Sequence, residues 1–154
     1  MKARPSLSVT FLLFFLLLLA PSACSTGKTK EAFALPEPER IVWMEGGRSG
    51  TRHVYEPGSP EFEAIMKEVN ACFAAARTDD GTFPTMAHRP GPEATGADQL
   101  LLSFTEAADL KLPRTITQLT LYANEPQMAD TGLWSLHVPL SGTLLAMLRD
   151  GPSS

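Results

Sequence analysis

The segment from Ser59 to Arg77 constrains the fold most, because it predicts one long amphipathic helix. Ser59 is a good N-cap and Pro60 suits the first helical position. Apolar side chains then recur at intervals of three and four, at Phe62, Ile65, Met66, Val69, Phe73 and Ala76. A helix with so broad an apolar face needs a sheet or other helices to cover it. The rest of the domain must supply that cover.

Short segments on both sides of this helix predict β-strands. Two precede it and three follow it: residues 40–45, 51–55, 99–105, 115–123 and 133–138. Apolar and polar residues alternate along them, which is typical of antiparallel strands with one wet face. A short final helix is expected over residues 142–149. We therefore expect an α+β fold of order ββαβββα, with the long helix on one face of an antiparallel sheet of about four to five strands.

Three details of this fold can be checked against a structure. In the last strand, Trp134, Leu136 and Val138 should share the core face. The Gly-rich loop at 46–50 should connect the first two strands as a hairpin. Residues 82–98 contain three prolines and two glycines and have no periodic pattern. A loop of this length is either functional and mobile or a disordered excursion without a role.

The first 23 residues predict a secretory signal peptide. Lys2 and Arg4 give it a basic start, and residues 9–20 form its apolar run. A membrane-spanning helix needs roughly 20 apolar residues, so this run is too short to span, and Pro21 stops its continuation. A cleaved signal is the favoured interpretation, with an uncleaved anchor as the alternative.

Cys24 is the candidate lipidation site. The triplet Ser22-Ala23-Cys24 resembles the end of the lipobox of bacterial lipoproteins, although Pro21 stands where that motif has an apolar residue. Cleavage by ordinary signal peptidase after Ser22 is the alternative. The expected organisation is a signal peptide at 1–23, a tether at 24–38, a single domain at 39–150 and a tail at 151–154.

Charge and cysteine content limit the partners of the mature chain. Without Lys2 and Arg4, the 13 basic residues of the sequence fall to 11 against 17 acidic ones, which disfavours nucleic-acid binding. If Cys24 carries a lipid, Cys72 stands alone, and its place beside the apolar stripe of the helix predicts a buried core thiol. If Cys24 is unmodified, a disulfide between Cys24 and Cys72 is open to the chain.

Several motifs suggest catalysis or metal binding but lack the context that those activities require. Gly27-Lys28-Thr29 lies in the tether, without the strand that precedes a phosphate-binding loop. Asp130-Thr131-Gly132 matches an aspartic-protease triplet, but it occurs once, and a turn before the strand at Leu133 accounts for it. Ser49 lacks the glycine pattern of a nucleophile elbow. The three histidines, His53, His88 and His137, lack the spacing of metal ligands. We expect His53 and His137 to lie on the solvent-exposed face of their strands.

The layout as a whole resembles that of a known class of protein. A lipoprotein-type signal, a short polar tether and the motif LPEPERI at residues 35–41, which leads into the first strand, are similar to small exported lipoproteins of Gram-positive bacteria. The C-terminal domain of those proteins is uncharacterised. The resemblance implies an extracytoplasmic domain at the outer face of the bacterial cell membrane and supplies no catalytic residues.

Two functional hypotheses follow from the sequence. The first is a non-catalytic binding module, anchored through a lipid on Cys24, that recognises an envelope protein or peptide with its open sheet face or with the loops 46–50 and 82–98. The second is a small envelope hydrolase that uses His137 and a nearby carboxylate. A third role, stabilising another envelope complex, is indistinguishable from the first by sequence. Neither a cofactor, a metal nor a catalytic residue is expected under the first hypothesis.

Overall fold

A computed structural model of the chain describes residues 33–87, 96–124 and 127–151. The predicted signal peptide, Cys24, the Gly27-Lys28-Thr29 motif and His88 lie outside these ranges. Within them are seven strands and two helices: β1 (Arg40–Glu45), β2 (Thr51–Tyr55), α1 (Pro60–Ala76), β3 (Thr85–Met86), β4 (Gln99–Ala108), β5 (Ile116–Tyr122), β6 (Met128–Asp130), β7 (Ser135–Leu136) and α2 (Gly142–Asp150). The α+β class is confirmed.

The strands form one antiparallel sheet in the order β2-β1-β4-β5-β6-β7-β3. The sheet is larger than the expected four to five strands, and the order of the described elements is ββαβββββα, so both expectations are wrong in part. The additional strands β3 and β6 contain two and three residues. Two or three residues are too few to show the alternation of apolar and polar residues that predicts a strand, so only their pairing partners identify them as strands.

One face of the sheet forms the core with the two helices. Cross-strand partners keep the same apolar side chains facing inward, as in the row Trp43–Leu100–Leu121–Ala129–Leu136. All five are fully buried. Helix α1 covers them with the predicted stripe, and Cys72 joins that stripe as a buried, free thiol. The expectation of a core thiol is confirmed.

The caps and the end of α1 also follow the sequence. The Ser59 hydroxyl accepts a hydrogen bond from the Phe62 amide at 3.2 Å, which satisfies one amide of the first turn. After Ala76 the chain turns around Asp80, whose Oδ1 lies 2.5 Å from Thr78 Oγ1 and 2.7 Å from Thr82 Oγ1. Those two hydrogen bonds, with one from the Thr82 amide, lower the pKa of Asp80 to about 2.

Helix α2 runs antiparallel to α1 and is bonded to it through its N-cap residue, Ser141. Ser141 caps α2 by accepting from the Leu144 amide at 3.0 Å. The same hydroxyl donates to Glu68 Oε2 at 2.9 Å, and the Ser141 amide donates to Cys72 Sγ at 3.3 Å. Because these contacts set the start of α2 beside the middle of α1, the end of α2 reaches the first turn of α1.

Residues 33–38 lie against the domain ahead of β1. Phe33 stacks on Phe73 with ring centroids 5.9 Å apart and meets Phe83 edge-on at 5.3 Å. Leu35 is buried, and its amide donates to Asn70 Oδ1 at 2.8 Å. The chain therefore joins the packed domain at the C-terminal half of α1.

The segment around Trp134 departs from the expectation. Strand β7 covers only Ser135–Leu136, and Trp134 is 39% exposed instead of sharing the core with Leu136 and Val138. The reason is the turn before it: the Thr131 hydroxyl accepts from the Trp134 amide at 2.9 Å and so holds Trp134 out of the strand. The predicted turn at Asp130-Thr131-Gly132 is confirmed, with Asp130 Oδ1 accepting from the Gly132 amide at 3.1 Å.

Candidate functional site

A pocket opens where the end of β2, the first turn of α1 and the last turn of α2 converge. We call it the helix-end pocket. Its volume is about 310 Å³, near the lower limit of about 300 Å³ for ligand sites. Apolar side chains from both helices form its walls: Pro60, Ala64, Ile65 and Met147. A cavity of this size and lining suits a small group with an aliphatic body.

Three polar side chains also line the helix-end pocket: Tyr55, Glu61 and Asp150. Tyr55 is only 3% exposed, and its hydroxyl oxygen has no hydrogen-bond partner in the described part of the chain. Buried hydroxyls in folded proteins are nearly always paired with protein, water or a ligand. The Tyr55 hydroxyl is therefore an unused hydrogen-bonding group at the wall of this pocket.

The electrostatics of the helix-end pocket are negative. Burial, and then the charge of Glu61, raise the pKa of Tyr55, so its hydroxyl keeps its proton and can both donate and accept. Within residues 33–87, 96–124 and 127–151, neither Glu61 nor Asp150 forms an ion pair with a basic side chain. Asp150 also lies at the negative end of the α2 dipole. The two carboxylates leave uncompensated negative charge at the mouth of the pocket.

His53 borders the same region. It pairs with Trp43 across β1 and β2, so it faces the helices, and our expectation of a wet-face position is wrong. It lies close to Gly151 at the end of α2, where the Cβ of any larger residue would come within 3.7 Å of His53 Cε1. That distance is an ordinary van der Waals contact, and the reason for glycine at this position is its φ of +71°. The indole nitrogen of the neighbouring Trp43 is likewise buried without a partner in the described residues.

The other residues considered from sequence do not gather around this pocket. His137 is exposed, as expected, and follows β7. Its strand lies five positions across the sheet from β2, about 24 Å from His53 at ~4.8 Å per strand. Ser49 lies in a 3-10 turn at Gly47–Ser49. Among the described residues, no group of three or more His, Cys, Asp or Glu side chains could hold a metal ion.

The two loops expected to bind a partner do not line the helix-end pocket with any residue that the structure describes. The loop at 46–50 is fastened to the start of β4, because the Gly46 amide donates to Asp98 Oδ1 at 2.8 Å. Arg48 of this loop lies near Tyr122, on the sheet face away from the helices. Burial and the charge of Asp130 raise the pKa of Tyr122, and the charge of Arg48 lowers it. Much of the 82–98 segment, at 88–95, lies outside the described ranges. Residues 46–50, 82–87 and 96–98, which are the described parts of the two loops, contribute no side chain to the helix-end pocket.

Sequence reasoning missed the helix-end pocket. An acidic Glu61 in the first turn of a helix is accounted for by the helix dipole alone, and neither Tyr55 nor Asp150 belongs to a recognisable motif. Tyr55 and Asp150 are 95 positions apart, and no local spacing connects them. A weak signal was present in the charges, since the acidic Asp150 at the end of a helix opposes the usual preference for basic residues there.

Comparisons of the chain with protein-family models, with curated proteins and with solved structures found no match. Among the helices of the described ranges, none has both the length and the apolarity needed to span a bilayer.

Proposed function

We propose that the chain is an exported domain, anchored to the outer face of a bacterial membrane by a lipid on Cys24, that binds a small ligand or peptide side chain in the helix-end pocket without catalysis. The observation that carries the binding role is the unpaired, buried Tyr55 hydroxyl in a pocket of ligand size. The signal peptide, the Cys24 triplet and the polar tether support the location.

The position of the pocket is consistent with this arrangement. The chain enters the domain at Phe33, which packs on Phe73, whereas the pocket lies at the first turn of α1. Thirteen residues of helix separate Phe73 from Pro60, or about 20 Å at ~1.5 Å per residue. The pocket therefore lies about 20 Å along α1 from the place where Phe33 packs on the domain.

Filling the pocket should abolish binding without unfolding the domain. Ala64 lines the pocket on α1 and is only half-buried, so an Ala64→Trp side chain can occupy the cavity. We expect the methyl resonances of Ile65 and Met147 in the full-length protein to shift with at least one of n-butylamine, n-butanol or n-butyrate, and this response to disappear in Ala64→Trp.

The matched control for this substitution is Ala75→Trp, on an exposed position of the same helix. It should leave the response unchanged. If Ala64→Trp and Ala75→Trp respond to the probes equally, or if no probe moves the two methyl resonances in the unmodified protein, the helix-end pocket is not the binding site.

The anchor is tested separately. When the full chain is expressed in a Gram-positive host, Cys24→Ala should move the protein from the membrane fraction to the medium or leave it unprocessed, whereas Ser25→Ala should remain in the membrane fraction. Mass spectrometry of the mature N terminus should find a lipid on Cys24. A mature chain that starts at an unmodified Ala23 would contradict anchoring.

A further inference from the structure

We infer that the ligand of the helix-end pocket is a primary ammonium group on a short alkyl chain. This inference rests on the proposed function and specifies the chemistry of its ligand. The group that carries an ammonium can be a lysine side chain of a peptide or a free alkylamine. Both present the same charge and the same aliphatic body to the pocket.

Charge is the first argument. Glu61 and Asp150 bring two carboxylates to one small cavity, and no lining residue is basic. In the part of the chain that the structure describes, no lysine or arginine forms an ion pair with either carboxylate. An anion entering here would meet two like charges, and a neutral ligand would leave them uncompensated. A bound cation interacts favourably with both carboxylates.

Hydrogen-bonding capacity is the second argument. An ammonium group has three N–H donors and no acceptor. The two carboxylates that line the pocket are acceptors of this kind, and the buried Tyr55 hydroxyl oxygen beside them has no partner in the described residues. Like any tyrosine, Tyr55 is a neutral phenol at physiological pH, and a phenol oxygen can accept a hydrogen bond from a charged donor.

The apolar walls of the pocket are the third argument, and they favour an alkyl chain behind the ammonium group. Ala64, Ile65 and Met147 form an aliphatic surface in a pocket of about 310 Å³. A short alkyl chain behind the ammonium group buries its apolar surface against them.

The test compares n-butylamine with n-butanol and n-butyrate on the full-length protein, using the methyl resonances of Ile65 and Met147. We expect n-butylamine to bind at least tenfold more tightly than the other two, and its affinity to fall as salt is raised. Glu61→Gln and Asp150→Asn should each weaken it about fivefold. Glu63→Gln, two residues along α1 and outside the pocket, should change it less than twofold.

Tyr55→Phe separates a binding role from a structural one. It removes the unpaired hydroxyl and retains the ring, so the melting temperature should not fall, whereas the affinity for n-butylamine should. A lysine peptide, acetyl-Lys-methylamide, distinguishes the two sources of the ammonium. Tighter binding than n-butylamine indicates a peptide, and weaker binding indicates a free amine.

The outcomes distinguish the ammonium inference from the proposed function. If n-butanol or n-butyrate binds at the same methyl groups as tightly as n-butylamine, the pocket is a binding site but its ligand is not a cation. If Glu63→Gln weakens n-butylamine as much as Glu61→Gln does, the effect comes from overall charge and the inference is wrong. If no probe moves these resonances, both the inference and the binding role of the pocket fail.

Discussion

Phe73→Ala is expected to lower the free energy of unfolding by about 3–5 kcal/mol, the usual cost of deleting a buried phenyl ring. Phe73 is fully buried on α1. It stacks with Phe33 and meets Phe83 edge-on at 5.5 Å and 76°. Its loss removes two aromatic pairs as well as buried area, and each pair contributes about 0.5–1.5 kcal/mol beyond burial.

Phe73→Ala should also loosen the packing of Phe33 and Leu35, which precede β1. Phe33 loses its stacking partner in Phe73→Ala, so the amide of Leu35, which donates to Asn70, should exchange with solvent faster. Urea unfolding gives the stability, and hydrogen exchange gives the local effect. Val54→Ala is the control, since Val54 is 46% exposed on the outer face of β2, and it should cost less than about 1 kcal/mol. A cost below about 1 kcal/mol for Phe73→Ala would refute the packing of these three rings.

Ser141→Ala is expected to cost about 1–2 kcal/mol, near the upper end of the range for a helix cap. Its hydroxyl accepts from the Leu144 amide and donates to Glu68, so one substitution removes the cap of α2 and the bond that joins α2 to α1. The bond to Glu68 is partly buried, and a carboxylate acceptor makes it stronger than a neutral bond. Urea unfolding measures the total loss.

Ser59→Ala is the matched control because Ser59 caps α1 from a half-buried position and its hydroxyl forms no bond to the other helix. It should cost about 0.5–1 kcal/mol. A double-mutant cycle of Ser141→Ala with Glu68→Gln should give a coupling energy of at least about 0.5 kcal/mol. Equal losses at Ser59 and Ser141, with no coupling to Glu68, would show that the bond between Ser141 and Glu68 does not stabilise the packing of α2 on α1.

Ser141 also connects stability with the proposed binding site. Met147 and Asp150 reach the helix-end pocket from the far end of α2, and Ser141 sets the start of that helix. Loosening the start should let the last turn move away from Tyr55 and Glu61. Ser141→Ala should therefore weaken n-butylamine binding as well as lower stability.

The long elements of this fold were predictable because each carries its own signal. Strands β1 and β2 match the expected residues, and α1 has the expected cap, the expected stripe and the expected end. Strands β3 and β6 were missed, and β7 was placed too long, because two or three residues hold no period of their own. Their conformation depends on the ladder of neighbours in the sheet.

The histidines show the same division. Both histidines were expected on the exposed face of strands. This expectation is correct for His137 and wrong for His53. The difference is register: pairing with the buried Trp43 turns His53 toward the helices, and a one-residue shift in pairing would turn it outward. Flanking residues do not reveal that choice, since both faces of β2 carry apolar and polar side chains.

The sequence alone determined that this chain has a long amphipathic helix, two strands before it and a helix-on-sheet core, because side-chain periodicity along a segment dictates which face must leave water. It also carries the predicted export signal and Cys24. Only the tertiary structure decided the number of strands and the helix-end pocket. Tyr55, Glu61 and Asp150 meet because α2 folds back along α1, and contacts between residues so distant in sequence depend on packing rather than on any local pattern.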